Sequence, residues 1–285
     1  MRYTLEMESL QRLLTEQVEI QEKYQNLVSM LKELSRVSVA FSGGVDSSLL
    51  LKIAFDCLQD NCIALIGTSP SFPAHELKEA ERLAQKIGVA YEIVPTSEME
   101  SPDYLKNSPD RCFHCRIQSM DDLLQRSQEL GFDHLVDGAN ADDASDYRPG
   151  HKAAKKLGLK SPLMEVGLTK QEVRSLAHAL DLSVWDKPAS ACLSSRIPYG
   201  TVITIEALNK INQAELMLKS LGFTNVRVRH YDELARIELD SDEMSQALNK
   251  REEITKSLRE IGYTYITLDL DGFRSGSMNL TLKSR

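Results

Sequence analysis

No stretch of this sequence stays apolar for the roughly 20 residues that a membrane-crossing helix needs. Positive charge is in deficit too: 34 Lys and Arg face 42 Asp and Glu, for a net charge of −8. Grip on a long nucleic acid depends on neutralising phosphates, so this balance argues against DNA or bulk tRNA as the main partner. Cysteines are few and odd in number, five in all. The opening segment, "MRYTLEMESLQRLLTEQVEIQEKYQNLVSMLKEL", has no apolar core of a signal peptide. Together these features point to a reducing, cytoplasmic location without a disulfide framework. Internal repeats and low-complexity segments are absent as well.

What is present is ordinary globular composition, with 285 residues, enough for one large domain and a small one. Leu10, Leu13, Leu14, Leu27, Leu31 and Leu34 recur at helical spacing, which predicts one or two amphipathic helices packed on the body over 1–34. From residue 35 short β-branched runs alternate with helical patterns. "VSVAF" (37–41), "CIALIG" (62–67), "AYEIV" (90–94) and "HLVDG" (134–138) are expected strands. Helices are expected at 48–58, 74–88 and 117–131, and after the capping box of Thr169 with Glu172. This order predicts an α/β fold with a parallel sheet covered on both faces, whose ligands bind beyond the strands' carboxyl ends. The Pro-, Ser- and Gly-rich "WDKPASACLSSRIPYG" (185–200) is expected to be a functional loop ending a domain at 35–200. A smaller α+β domain is expected over 201–285, with helices at 205–221 and 243–261 and strands "NVRVRH", "LARIEL" and "YTYITLDL".

"FSGGVDSS" (41–48) follows the first strand and opens a helix. Gly43 and Gly44 let the backbone present N–H groups to a ligand, and the helix N-terminus adds partial positive charge, so the loop is an anion cradle. Ser42, Ser47 and Ser48 can donate hydroxyls to phosphate oxygens, and Asp46 beside phosphates implies an intervening Mg2+. The loop is neither a Walker A nor a dinucleotide Gly-x-Gly-x-x-Gly loop. It resembles the SGGxDS loop of the ATP pyrophosphatases, the PP-loop family with its adenine nucleotide α hydrolase-like sheet, whose members cleave ATP between the α- and β-phosphates and adenylate a substrate. In that family adenine lies near the next strand end, here "IGTSP" (66–70). The acidic loop "DGANADDASDYRPG" (137–150) follows another strand end. Its Asp137, Asp142, Asp143 and Asp146 can hold magnesium or orient substrate, or form a solvated acidic loop, and Arg148 joins the candidate cofactor-binding set.

Cys57 and Cys62 flank a helix end and a strand start and are expected to be core residues. Cys112 and Cys115, in "RCFHCR", are expected just before a helix, and Cys192 in the loop before the second domain. Three thiolates can hold three irons of a 4Fe-4S cluster and leave the fourth open. With His114 or His75 they can hold zinc, and a persulfide with a resolving partner is the third option. In "NVRVRH" Arg227 and Arg229 share one strand face, which suits a phosphate. On "LARIEL" Arg236 and Glu238 share a face, so a ladder of cross-strand ion pairs is the alternative.

With "VAFSGGVDSSLLLK", "DGANADDASDYRPG", "ASACLSSRIPYGT", "VRVRH", "ARIEL" and "YITLDLDGFRSGSMN" assembled, the chain resembles the LarE family of ATP-dependent sulfur transferases over nearly its whole length after the first helix. The resemblance implies activity on a pyridinium-3,5-dicarboxylate mononucleotide, in biosynthesis of a nickel-pincer cofactor. ATP–Mg would adenylate a carboxylate, and a sulfur nucleophile would displace AMP. It implies that Ser195, Arg196, Arg227 and Arg229 bind phosphate, that Glu215 and Glu238 bind metal or line the site, and that the chain forms homohexamers. Single-cysteine members sacrifice their own cysteine sulfur, but that position is Ala191 here, beside Cys192, and the family's aromatic in the other loop is Cys112. The resemblance therefore implies the three-cysteine type, in which a 4Fe-4S cluster on Cys112, Cys115 and Cys192 carries sulfide from an external donor. Two other readings are a PP-loop enzyme of tRNA thiolation and a zinc-stabilised nucleotide-binding protein without turnover.

Overall fold

Val37–Ala40 is β-branched at alternate positions and buried at all four, which is the behaviour of an interior strand of a parallel sheet. This strand, β1, pairs in parallel with β2 (Cys62–Thr68) on one side and β4 (His134–Val136) on the other. Beyond β2 lies β3 (Ala90–Pro95), giving the order β3-β2-β1-β4, and Val136 forms a further parallel bridge with Lys160. The structure, a computed structural model, describes residues 2–144, 157–188, 190–274 and 277–279. Contacts divide the chain into two compact units. The first is Met1–Ser69, Glu76–Ser101 and Cys112–Ser190, and the second is Pro70–His75, Pro102–Arg111 and Ala191–Arg285.

In the first unit the chain winds outward from β1 to β2 to β3 and then returns to add β4 on the opposite side. The winding reverses between β1 and β4, and the ends of those two strands frame the crevice where such sheets bind ligands. Helix Val45–Leu58 leaves β1 with Leu49, Leu50, Leu51, Ile53 and Ala54 buried in the core. The N-terminal helices Arg2–Glu16 and Val18–Leu34 break at Gln17 and send Leu10, Leu14, Ile20, Leu27 and Leu31 into the same core. Thr169 and Glu172 form the expected capping box on helix Lys170–Ala179, and Lys23 bonds Glu172 at 2.8 Å.

The second unit carries a sheet of order β5-β6-β7: Arg227–Tyr231 antiparallel to Leu234–Glu238, which is parallel to Tyr265–Leu268. Helix Ile205–Ser220 and Val226, Val228, Ala235, Ile237, Leu239 and Leu258 build its core. Asn107 stitches this unit together, its side-chain amide donating to the carbonyls of Ile197, Pro198 and Thr201.

Two expectations are corrected. The helix expected from 117 begins at Arg111 and runs to Glu129, so Cys112 and Cys115 lie within its first turns rather than before it. "RCFHCR" contains no Gly or Pro to stop helix propagation, and the chain turns into the helix at Ser108, whose carbonyl accepts from Arg111 N–H. The helix expected over 243–261 is two, Met244–Asn249 and Arg251–Ile261, separated at Lys250, whose ammonium reaches the Leu221 carbonyl at 2.6 Å.

Candidate active site

The loop after β1 is shaped by packing before any ligand arrives. Gly43 has φ +71°, and a Cβ there would stand 3.0 Å from the Cβ of Ala80, so only glycine fits. Gly44 has φ −81° and needs no such freedom; it caps helix Val45–Leu58. The hydroxyls of Ser47 and Ser48 donate to the Gly44 carbonyl at 3.2 and 2.7 Å, and Ser42 N–H donates to Ser47 Oγ at 3.3 Å. The serines thus hold the turn that aims the helix N-terminus into the crevice.

The loop after β4 lies directly on this turn. A Cβ on Gly138 would stand 2.8 Å from Ser47 N and 2.9 Å from Ser47 Cα. Asp137 is 2% exposed and works as a brace: its carboxylate accepts from Arg116 Nη2 at 2.5 Å, Ser161 Oγ at 2.6 Å and Ala139 N–H at 3.2 Å. Arg116, one end of "RCFHCR", is thereby assigned a carboxylate partner. Asp143 and Asp142 accept the backbone N–H groups of Asn140 and Lys170. Asp146 and Arg148 lie outside the described residues.

Asp46, second in its helix, accepts from Asn140 Nδ2 at 3.1 Å and from Lys170 Nζ at 2.5 Å. Neither partner was legible in the motif. A signal for Lys170 did exist: it is the first residue of helix Lys170–Ala179, where the macrodipole disfavours a cation. A lysine at that position is held by something other than helix stability.

In the second unit the arginines divide into two kinds. Arg196, 1% exposed, makes a bidentate pair with Glu215 through Nε and Nη2 at 2.8 and 2.9 Å. Its Nη1 donates to the carbonyls of Ala191 and Cys192 and to Ser195 Oγ. Glu215 also accepts from Val228 N–H at 3.0 Å. Arg229 donates to Glu238 at 2.6 Å and to the Ser195 carbonyl at 3.1 Å, while Arg236 and Ser277 take the other Glu238 oxygen. The oxygens of both glutamates are thus committed to protein donors. The cross-strand ladder exists, but buried: Glu238 is wholly inaccessible.

Arg227 is different. Among the described residues its guanidinium has no carboxylate partner; it donates to the Val226 carbonyl and lies 5.1 Å from the Phe273 ring centroid. Burial, and then the positive charge of Arg196, hold its pKa below the usual arginine value.

Similarity to known proteins follows the same map. A family model described as NAD synthase matches residues 16–108, which span the loop and β1–β3. A protein of Synechocystis described as uncharacterized is 43% identical, covering 92% of this chain and 99% of that one. The pyridinium-3,5-bisthiocarboxylic acid mononucleotide synthase of Lactiplantibacillus plantarum is 41% identical over 262 residues, 91% of this chain and 95% of its own. The chain belongs to the LarE family. The tRNA-specific 2-thiouridylase MnmA of Rickettsia africae is more distant, at 26% identity over 65% of this chain and 60% of its own.

The cysteines of this LarE chain divide by environment. Burial pushes the Cys62 thiol up to about 12 and raises Cys57 as well, so both stay protonated core residues. Cys112 and Cys115 belong to the first unit, three residues apart on one face of the opening turns of helix Arg111–Glu129. Cys192 belongs to the second unit, half-buried, its carbonyl held by Arg196 Nη1 and by Ser195 Oγ. Among the described residues no three His, Cys, Asp or Glu side chains are gathered around one point. Of the histidines weighed for zinc, His114 stacks edge-on with Phe113 and His75 bonds Lys219 at 2.7 Å. No helix among the described residues is long and apolar enough to cross a membrane.

Proposed function

We propose that this LarE-family chain is an ATP-dependent sulfur transferase. It adenylates the carboxylates of pyridinium-3,5-dicarboxylate mononucleotide and converts them to thiocarboxylates, in nickel-pincer cofactor biosynthesis. The observation that carries this reading is the presence, in one chain, of the SGGVDSS cradle at the sheet's switch point and of Arg227, a cation without a carboxylate partner among the described residues. Each suits one substrate: the cradle a nucleoside triphosphate, the arginine a mononucleotide phosphate.

ATP is substrate here. N–H groups of the Gly43–Ser47 turn and the hydroxyl of Ser42 would hold its phosphates, joined by those of Ser47 and Ser48 on exchanging their bonds to the Gly44 carbonyl. A substrate carboxylate oxygen attacks the α-phosphorus, and pyrophosphate leaves with the electron pair of the broken P–O bond. Sulfide then adds to the acyl carbon, and AMP leaves with the C–O pair, giving a thiocarboxylate without net oxidation or reduction. Asp46 is the chain's ligand for Mg2+, which would neutralise the phosphates; the Lys170 ammonium against its carboxylate fits a cation at that position. Cys112, Cys115 and Cys192 would hold a 4Fe-4S cluster, which supplies an open iron for the sulfide. Three thiol donors suit that group. Ser195, Arg196 and Arg229 shape the phosphate site around Arg227, and Glu215 and Glu238 orient those arginines. An external sulfide donor, homohexameric assembly and a cytoplasmic location belong to the same proposal.

The test is anaerobic purification followed by iron and acid-labile sulfide determination, with pyrophosphate release measured with and without the mononucleotide. Brown protein and mononucleotide-dependent release are expected. Colourless protein with stoichiometric zinc overturns the cluster, and release without any mononucleotide effect overturns the substrate. The likeness to MnmA gives tRNA as a second acceptor; tight, salt-sensitive tRNA binding would favour it.

A further inference from the structure

The helices Arg2–Glu16 and Lys170–Ala179 leave an open cavity of about 420 Å³ lined also by Trp185, all within the first unit. Its volume falls in the range of small-ligand sites. Trp185 is the chain's single tryptophan and is 40% exposed. It packs against His178 in a T-shaped pair with centroids 4.7 Å apart, which fixes the indole as a wall.

Around that wall the charge is positive in a protein whose net charge is negative. Among the described residues Arg12 and Arg174 line the cavity against the carboxylate of Glu16. Arg12 and Glu16 approach only to 3.9 Å, with both side chains largely exposed, a contact of little energetic weight. Arg174 has no carboxylate partner among the described residues, and its Nε is buried without a hydrogen-bond partner. Lining the cavity without a carboxylate partner, the Arg174 guanidinium keeps its charge available to an anion there.

We propose that this cavity is a second ligand site, distinct from the nucleotide loop, that takes a mononucleotide: an aromatic ring against Trp185 and a phosphate on the guanidiniums of Arg174 and Arg12. Planar guanidiniums match phosphate in a two-pronged fashion, and an exposed indole offers a face for stacking. Two molecules with this chemistry belong to the proposed reaction, its AMP product and its pyridinium substrate. The site itself follows from the cavity and holds whether or not that reaction is the right one.

The lone tryptophan makes the cavity its own reporter. The full-length protein is titrated with AMP and, separately, with nicotinic acid mononucleotide while Trp185 fluorescence is followed. A saturable change is expected with at least one of them, and the one that binds identifies the source. Arg174→Gln is expected to raise the dissociation constant about tenfold or more, the scale of a charge-assisted hydrogen bond, while ATP-dependent pyrophosphate release stays unchanged. Arg12→Gln, on the exposed side of its helix, repeats the test should Arg174→Gln fail to fold. No fluorescence change up to millimolar ligand, or a change that survives both substitutions, overturns the site.

Discussion

Lys170 Nζ lies 2.5 Å from Asp46 Oδ2, so the carboxylate of the loop's aspartate is held by a cation of the chain itself. On the proposed reaction, ammonium and magnesium would compete for that one carboxylate. Lys170→Met is expected to lower the magnesium concentration that half-saturates ATP binding, by about tenfold on the scale of a partly screened ion pair. It is also expected to weaken ATP binding without magnesium, because Asp46 would face the phosphates uncompensated. The pair is partly exposed, so stability should fall by at most about 1 kcal/mol. Calorimetric titration of ATP with and without magnesium checks both signs.

Gly138 and Gly44 lie in the same site but differ in what a methyl group would meet. Gly138→Ala places a Cβ 2.8 Å from Ser47 N, against backbone that cannot move aside. ATP binding is expected to be lost, with a stability cost of about 1–3 kcal/mol from overpacking. Gly44→Ala meets only Ser42 Oγ, at 3.4 Å, at an ordinary φ, and should fold normally. Thermal melts with and without ATP separate the two.

Arg196 and Glu215 are both almost wholly buried. Arg196→Leu strands a carboxylate and is expected to destabilise the protein by about 3–5 kcal/mol. Replacing both, Arg196→Met with Glu215→Leu, should restore most of that stability, because two buried charges are removed together. Sulfur transfer should not return, since the hold on the Ala191 and Cys192 carbonyls is gone. Denaturant melts and product formation, measured on the same three proteins, test the separation.

His230 is buried against Tyr263, and burial holds its pKa below the ordinary 6.5. As pH falls, the unfolded chain takes up this proton before the folded one does. Stability is therefore full above about pH 6.5 and is lost as pH falls toward the folded value. The melting temperature should be flat from pH 7 to 8 and decline below about 6.5, the unfolded-state value. His230→Gln, which keeps a partner for Tyr263, should flatten that decline.

The parallel sheet was legible because its buried strands are short β-branched runs between helical periods, as at Val37–Ala40. The loop was legible because glycine, serine and aspartate stand together in one string. Long-range partners were not. Nothing near Asp46 in sequence announces Lys170, 124 residues away, and nothing near Arg116 announces Asp137 as a brace rather than a ligand. Arg227 and Arg229 look equivalent on their strand, and the placement of Glu238 gives Arg229 a carboxylate that Arg227 lacks among the described residues. Residues 102–111 carry no periodicity that assigns them to the C-terminal unit; Asn107 and Arg111 do so through side-chain hydrogen bonds.

Arg111 donates to the carbonyl of Ser194, 83 residues further along the chain. During synthesis at roughly 5–20 residues per second, Arg111 emerges about 4–17 seconds before its acceptor. For that interval Arg111 has only its local partners Asn107 and Ser108, and the sheet of the first unit is the part free to form. The order of translation thus lets the parallel sheet form first, and a stall between these two points would leave Cys112 and Cys115 displayed before Cys192 exists.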